Sequence, residues 1–222
     1  MIIGNGLIAN ALKGIDTEGH LFFASGVSNS LETRSTEFER EFSLLKESIE
    51  KHPDGRLVYF STLSINDQSK QDSRYVLHKL QLEEFIRNNA SSHLILRIGN
   101  IVGKGGNPNT LFNFLKIQIS EGNIFKIHRQ ARRLLLDVDD VSKFLQAHGN
   151  DLSNQTVNFA YPYYYDLKEI VQAIETRMQK KATYGETDEG DFYKVDFHGT
   201  ADHFFSGINA EEYLRNLTEK YI

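Results

Sequence analysis

Cysteine is absent from this sequence. That excludes disulfides, thiolate zinc sites and any thiol acting as acid, base or nucleophile. Proline is scarce: the 3 present, Pro53, Pro108 and Pro162, fall where loops are expected. There is no long apolar run and no signal-peptide pattern, so a cytoplasmic protein without a membrane anchor is expected. An excess of positive charge is also missing. A formal net charge of -5 gives no general attraction to nucleic acid or to an anionic membrane. No internal repeat or low-complexity tract interrupts the chain. What is present, 40% hydrophobic and 25% charged residues in a chain of 222, is the composition of a globule able to bury a substantial core.

The pattern alternates. "MII" reads as a short apolar strand running into Gly4-Asn5-Gly6, and "LIANALKG" as a helix closed by Gly14. "HLFFAS" is a second buried strand. Residues 36–51 place Phe38, Phe42, Leu45 and Ile49 at helical spacing. "RLVYFS" is a third strand, a helix through Tyr75 and Lys79 follows, and "HLILRI" is a fourth apolar run before a loop with Gly103, Gly105 and Gly106. Strands alternating with helices predict an α/β protein with a parallel sheet covered on both faces. Further helices are expected near 110–121, 139–148, 166–180 and 209–220, and short strands at "LLLDV" and "TVNFAY". Region 183–206 is polar, aromatic and weakly patterned, and predicts a loop-rich lobe at the sheet's C-terminal edge. The chain divides into a nucleotide-binding and catalytic part, 1–150, and a small substrate-side lobe, 151–222.

Three stretches carry chemistry. Gly4-x-Gly6-x-x-Ala9 follows a strand and opens a helix, where glycines let the backbone approach a pyrophosphate and Ala9 permits tight packing. The acid usually found about 20 residues on is missing; that place holds "ASGVSNS". Either Ser25, Ser28 or Arg34 favours a 2'-phosphate there, or a strand is missing. Ser61, Thr62 and Ser64 lie just past the end of "RLVYFS", where parallel sheets bind their ligands. Tyr75 and Lys79, four apart, share one face of the next helix. An ammonium beside a phenol stabilises the phenolate, so the pair suits proton exchange with a substrate oxygen held by Thr62.

Taken in order, these stretches resemble the extended short-chain dehydrogenase/reductase family, the nucleotide-sugar epimerases, dehydratases and reductases. "IIGNGLIANAL" is similar to its phosphate loop and "LVYFSTLSI" to its "VYxSSxxVYG". "YVLHKLQLEE" is similar to "YGxSKxxxE", including Glu83, and "LILRIGNIVGKG" to "LRxxNxYGPG", with Arg97, Asn100 and Gly103 matched. "RRLLLDVDDV" is a looser match to "RxFxxVxDV". The resemblance implies a Rossmann-like fold and an NAD(P)-dependent epimerase or reductase acting on a nucleotide-linked sugar. Tyr75 would be the acid/base, with Lys79 beside it on the nicotinamide ribose and Thr62 on the reacting oxygen. Gly4, Asn5, Gly6 and Ala9 would meet the cofactor, NAD or NADP. Ser64, Asn100, Arg132 and Arg133 would meet the substrate, an Arg of the cluster Lys126–Arg133 clamping its diphosphate. Family members commonly pair through the helices before and after Tyr75, so a homodimer is an expectation.

The departures matter as much. In the family the strand preceding the helix before the Ser/Thr strand is the fourth, which makes "HLFFAS" strand four. Only 14 residues lie between Gly6 and Leu21, too few for a helix and two more strands when one βαβ unit takes about 30. Strands two and three, the half that holds the adenosine, are therefore expected to be absent. Leu63-Ser64 after Thr62 replaces the Asp-Glu of the sugar 4,6-dehydratases, which disfavours dehydration. The alternative is a degenerate member that binds a nucleotide sugar or a partner protein without redox turnover. His78 is expected to pack or lie at the surface, and Tyr161, Tyr163, Tyr164 and Tyr165 to serve core or dimer packing as readily as a pocket. Asp196, His198, Asp202 and His203 match no metal-ligand spacing, so no metal site is expected.

Overall fold

A computed structural model describes residues 1–15, 19–190, 192–197 and 199–222. In chain order the elements are β1 (Ile2–Ile3), α1 (Leu7–Ala11), β2 (His20–Phe23), α2 (Ser35–Lys51), β3 (Arg56–Thr62), α3 (Arg74–Asn89) and β4 (Ser92–Ile98). These are followed by β5 (Asn100–Val102), α4 (Leu111–Glu121), β6 (Ile124–His128), β7 (Arg132–Asp137), α5 (Val138–His148) and β8 (Gln155–Phe159). The chain ends with β9 (Tyr164–Asp166), α6 (Leu167–Met178), β10 (Thr183–Thr187), α7 (Thr200–Phe204) and α8 (Ala210–Tyr221).

The main sheet has the order β1-β2-β3-β4-β8, every neighbouring pair parallel. Period-2 alternation sends its apolar residues to opposite faces. Phe22, Val58, Phe60, Leu94 and Leu96 enter the larger core with α4, α5 and α6, whereas Leu21, Phe23, Leu57, Tyr59 and Ile95 pack on Leu45 and Ile49 of α2 and Leu82 and Ile86 of α3. Both faces are covered, which is why these strands read as continuous apolar runs.

β1 is the edge strand and pairs directly with β2, Ile2 opposite Phe22. Among the described residues no further strand lies between β1 and β2, as expected for a sheet lacking the second and third strands; a short α1 and a 3-10 turn over Leu12–Ile15 make the described connection. Gly4 takes φ +123, and a Cβ there would lie 2.4 Å from the Ala24 carbonyl oxygen. Glycine at position 4 is thus a requirement of seating β1 against the end of β2.

Two small sheets flank the main one. β5 and β7 pair in parallel and β7 and β9 antiparallel, while β6 pairs with β10. The expected "LLLDV" strand is β7, and "TVNFAY" supplies β8, which extends the main sheet rather than standing apart from it. Region 183–206 holds more structure than its pattern suggested, namely β10 and α7. β10 is short, polar and pairs on one side only, so it leaves no alternation to detect. The helix expected over "LIANALKG" keeps α geometry only to Ala11.

Aromatic packing ties the C-terminal part to the sheet. Tyr161 stacks on Tyr213 at 4.1 Å, and Tyr161 and Tyr165 donate to the carbonyls of Ile208 and Ala210. Tyr161 and Tyr165 of the tyrosine run are therefore core, whereas Tyr163 is exposed and Tyr164 half-buried. Tyr213, on α8, accepts from the Asp137 N–H at 2.9 Å and donates to Asp140 at 2.8 Å. Tyr213→Phe strips both partners from buried groups, and denaturant unfolding should show a loss of about 1–3 kcal/mol; no change would mean α8 docks by apolar contact alone.

Candidate functional site

The site residues gather at the C-terminal end of the main sheet. Thr62 is the last residue of β3 and is 8% exposed. Its Oγ1 accepts the Ser64 N–H at 3.1 Å, capping the 3-10 turn Leu63–Asn66, which leaves its O–H free to donate. Tyr75 sits in the first turn of α3, packed against Val27 and Val76. Its hydroxyl forms no hydrogen bond among the described residues. One turn on, Lys79 brings its ammonium 5.7 Å from the centre of the Tyr75 ring. The spacing seen in the sequence does place Thr62, Tyr75 and Lys79 on neighbouring elements at one end of the sheet.

Lys79, however, is not open to the site. It is 2% exposed and donates to Glu41 Oε1 at 2.7 Å and to the Tyr59 hydroxyl at 3.1 Å. Glu41, on α2, is wholly buried. Its Oε1 also accepts from Tyr59 at 2.9 Å; its Oε2 accepts the Val27 N–H at 2.8 Å and lies 3.1 Å from His78 Nε2. Burial opposes ionisation of Glu41, but the Lys79 charge and the hydrogen bonds from His78, Lys79 and Val27 hold its carboxyl at about 2. Burial and the adjacent Glu41 charge push the Tyr59 phenol well above its ordinary value. At position 26 a Cβ would come within 2.9 Å of both Glu41 Oε1 and Lys79 Nζ, so glycine there makes the pair possible.

Sequence reasoning missed Glu41, Tyr59 and Gly26. A signal existed: the apolar face of α2, Phe38, Phe42, Leu45 and Ile49, runs through position 41, and a carboxylate on a buried stripe demands partners. His78 is a packing residue as expected, its ring tilted against that of Phe38 with centres 4.6 Å apart, and it also joins the carboxylate.

A second buried acid fixes the strand ends. Glu83 on α3 takes Ser61 Oγ at 2.7 Å, Arg97 through two nitrogens at 2.9 and 2.6 Å, and Arg87 at 2.7 Å. Burial raises its pKa, but Arg97, Ser61 and Arg87 outweigh that and leave it lowered. Glu83 and Arg97 thus clamp α3 to β3 and β4 immediately below Thr62.

At β1, the Asn5 carbonyl accepts from Asn10, and Gly6 opens α1. A Cβ on Gly6 would meet nothing within 4 Å, so open space lies beside it. Ala9, 1% exposed, packs inward. Ser25 faces Arg40 of α2 at 3.4 Å, and Arg34 is taken by Glu32 at 2.7 Å. Asn100 spends its amide on the Leu134 carbonyl.

Arg132 and Arg133 point to opposite sides of β7. Arg132 donates to the carbonyls of Arg129 and Ala131. Arg133, its pKa lowered by burial, faces Tyr193 and Asp67. Burial raises the Tyr193 phenol to about 12 against the opposing influence of Ser64 and Arg133. Residues 192–197 cross this end of the sheet, where Tyr193, Val195 and Phe197 pack on Leu63, Leu134 and Ala160. In the rest of the basic cluster Arg129 pairs with Glu186 at 3.4 Å, and His128 Nδ1 lies 3.8 Å from Glu189. His198 lies outside the described residues, and among those described no three acids and histidines are grouped to hold a metal. No described helix is long and apolar enough to cross a membrane.

The fold recurs in solved structures. The Bordetella bronchiseptica enzyme WbmH in complex with NAD+ superposes with a TM-score of 0.72 at 16% identity, over 99% of this chain and 80% of that one. A UDP-glucuronic acid 4-epimerase from Bacillus cereus, solved with UDP-glucuronic acid and NAD, gives 0.71 at 16% identity over 98% and 77%. The chain has the Rossmann-like fold of these enzymes. A UDP-glucose 4-epimerase from Thermus thermophilus complexed with NAD matches at 0.66 and 13% identity, over 96% and 80%. No family model and no curated protein matches the sequence.

Ionisation of Glu41 contributes stability that is complete above its ordinary value of 4.5 and is lost as pH falls through about 2. Between those limits the urea-unfolding free energy of the wild type should fall with acid more steeply than that of Glu41→Gln, by up to about 1.4 kcal/mol per pH unit. Equal slopes would mean the carboxylate is not ionised in its buried seat.

Proposed function

We propose that the chain is an extended short-chain dehydrogenase/reductase and acts as an NAD(P)-dependent epimerase or reductase on a nucleotide-linked sugar. The observation that carries this is the joint placement of Thr62 and Tyr75, hydroxyls available, at the ligand end of a parallel sheet built like that of enzymes solved with NAD. When bound, the nicotinamide supplies or accepts the hydride. Thr62 donates its O–H to the reacting sugar oxygen, and Tyr75 exchanges the proton on that oxygen. Lys79 lies beside the Tyr75 ring with one of its three N–H groups uncommitted.

The residues present fit the nicotinamide and pyrophosphate end of such a cofactor. Open space beside Gly6 leaves room for phosphate oxygens, with Asn5 next to it. They offer less to the adenosine end, because the sheet stops at β1. Whether the cofactor is NAD or NADP is open on these residues, for neither an acid nor an unpaired Arg stands at the end of β2. Arg133, beside Ser64 and Tyr193, is suited to the diphosphate of the sugar nucleotide. The exposed parts of α2 and α3 offer a homodimer contact, and the cytoplasm is the compartment proposed for the protein.

One observation favours a second function, binding of a nucleotide sugar without redox turnover: the Glu41 carboxylate opposes the very charge that would activate Tyr75. Calorimetric titration with NAD+, NADP+, NADH and NADPH separates the two. Under the first proposal heat accompanies at least one dinucleotide. Gly6→Leu, which should fold because a Cβ meets nothing there, should abolish that heat. Tyr75→Phe should keep the binding and lower turnover by at least about 10²-fold. No heat with any of the four dinucleotides would leave the binding function standing alone.

A further inference from the structure

Glu41 stands outside every motif of the proposed chemistry, yet it bonds to the helix that carries Tyr75, to β3 and to the loop after β2. From α2 it reaches Lys79 and His78 on α3, Tyr59 on β3, and the backbone of Val27 in the loop after β2. The side chain of Val27 belongs to the same small apolar cluster as Tyr75 and Val76. All four acceptor positions of the carboxylate are used, two on each oxygen. A group that only needed burial would be apolar here, as its stripe neighbours Phe38 and Leu45 are. A buried ion pair is worth little as a stabiliser compared with apolar packing of the same volume, so general stability does not account for a charge at this position.

We propose that Glu41 is a positioning residue of this site, acting through Lys79 and through the loop 24–30 to fix both around Tyr75. This rests on the function proposed above. On one side Glu41 holds the ammonium at a set distance from the Tyr75 ring, because Lys79 cannot leave without exposing a buried unpaired carboxylate. On the other it holds Val27, and with it the neighbouring residues of a loop that packs on Gly4 of the β1 loop through Ala24 and Ser25. Gly26 is part of the same device, since any side chain there would meet both members of the pair. One consequence concerns specificity. The loop after β2 lies directly against Gly4, where the sheet ends, and its serines are presented by the Glu41–Val27 bond rather than by a further strand.

The test uses the full chain, with NADH and NADPH as probes and amide hydrogen exchange as a readout independent of binding. Glu41→Gln removes the charge; Glu41→Asp keeps it and is expected to fold, but is one methylene too short to reach Lys79 and Val27 together. Both are compared with wild type at a temperature where each is folded. The proposal predicts exchange at the Val27 amide faster by at least about 10-fold in both variants. It also predicts dinucleotide affinity weaker by about 10-fold or more in Glu41→Gln, with partial recovery in Glu41→Asp. Lower thermal stability with unchanged affinity and unchanged exchange at Val27 would overturn it, leaving Glu41 a structural residue. If wild type itself takes up neither dinucleotide, the proposed function fails and the positioning role fails with it, whatever the exchange at Val27; wild-type binding that the two variants leave unchanged overturns the positioning role alone.

Discussion

A carboxylate without solvent persists only when its charge is matched and its lone pairs are filled. Glu41 meets both conditions by drawing donors from a loop, a strand and a helix, and the packing of α2 and α3 at the C-terminal end of the sheet is arranged around that requirement. α2 must lie close enough to α3 for Glu41 to reach Lys79. β3 must present a tyrosine, Tyr59, rather than an apolar residue. The loop after β2 must turn at Gly26 and offer the Val27 N–H. Glu83 repeats the logic one turn along α3, with Ser61, Arg97 and Arg87 as its partners. α3 is thus pinned to the sheet by two buried acids, and Tyr75 lies at the end of the element they pin.

The second constraint is the truncated sheet. With β1 at the edge, the ligand end is formed by the loops after β1, β2, β3 and β4, and no strand beyond β1 closes the side where the adenosine end of a dinucleotide would lie. The loop after β2 then borders the opening and carries serines instead of an acid. On the far side, residues 192–197 and the β7 residue Arg133 wall the site beside Ser64. The side chains at this end include the hydroxyls of Thr62, Ser64 and Tyr75 and one arginine, Arg133.

Much of this was legible in the sequence. The apolar runs "HLFFAS", "RLVYFS" and "HLILRI" are β2, β3 and β4, because a strand covered on both faces shows no polar alternation to confuse it with a surface. The short span between Gly6 and Leu21 showed that the sheet begins at β1. The neighbourhood of Thr62 and Tyr75 followed from order alone. Lys79 was legible in position but not in partner, since its carboxylate lies 38 positions away on another helix. Spacing within a helix says nothing of what the neighbouring helix presents. Gly4 was assigned to phosphate approach, but its φ and the nearness of Ala24 give it a packing duty first. β6 and β10 escaped notice because a two-stranded ribbon, one of whose strands reads "TYGET", leaves neither an apolar run nor a period.

The central claim is that this chain keeps the chemical half of a dinucleotide site without the adenosine half, and comparing reduced nicotinamide mononucleotide with NADH in one calorimetric series tests it most directly. If the sheet edge at β1 offers the adenosine little, the two should bind within about 10-fold of each other, a difference near 1.4 kcal/mol, and AMP should displace neither. NADH binding tighter by about 1,000-fold or more, near 4 kcal/mol, with AMP as a competitor, would contradict the account by revealing an adenosine site.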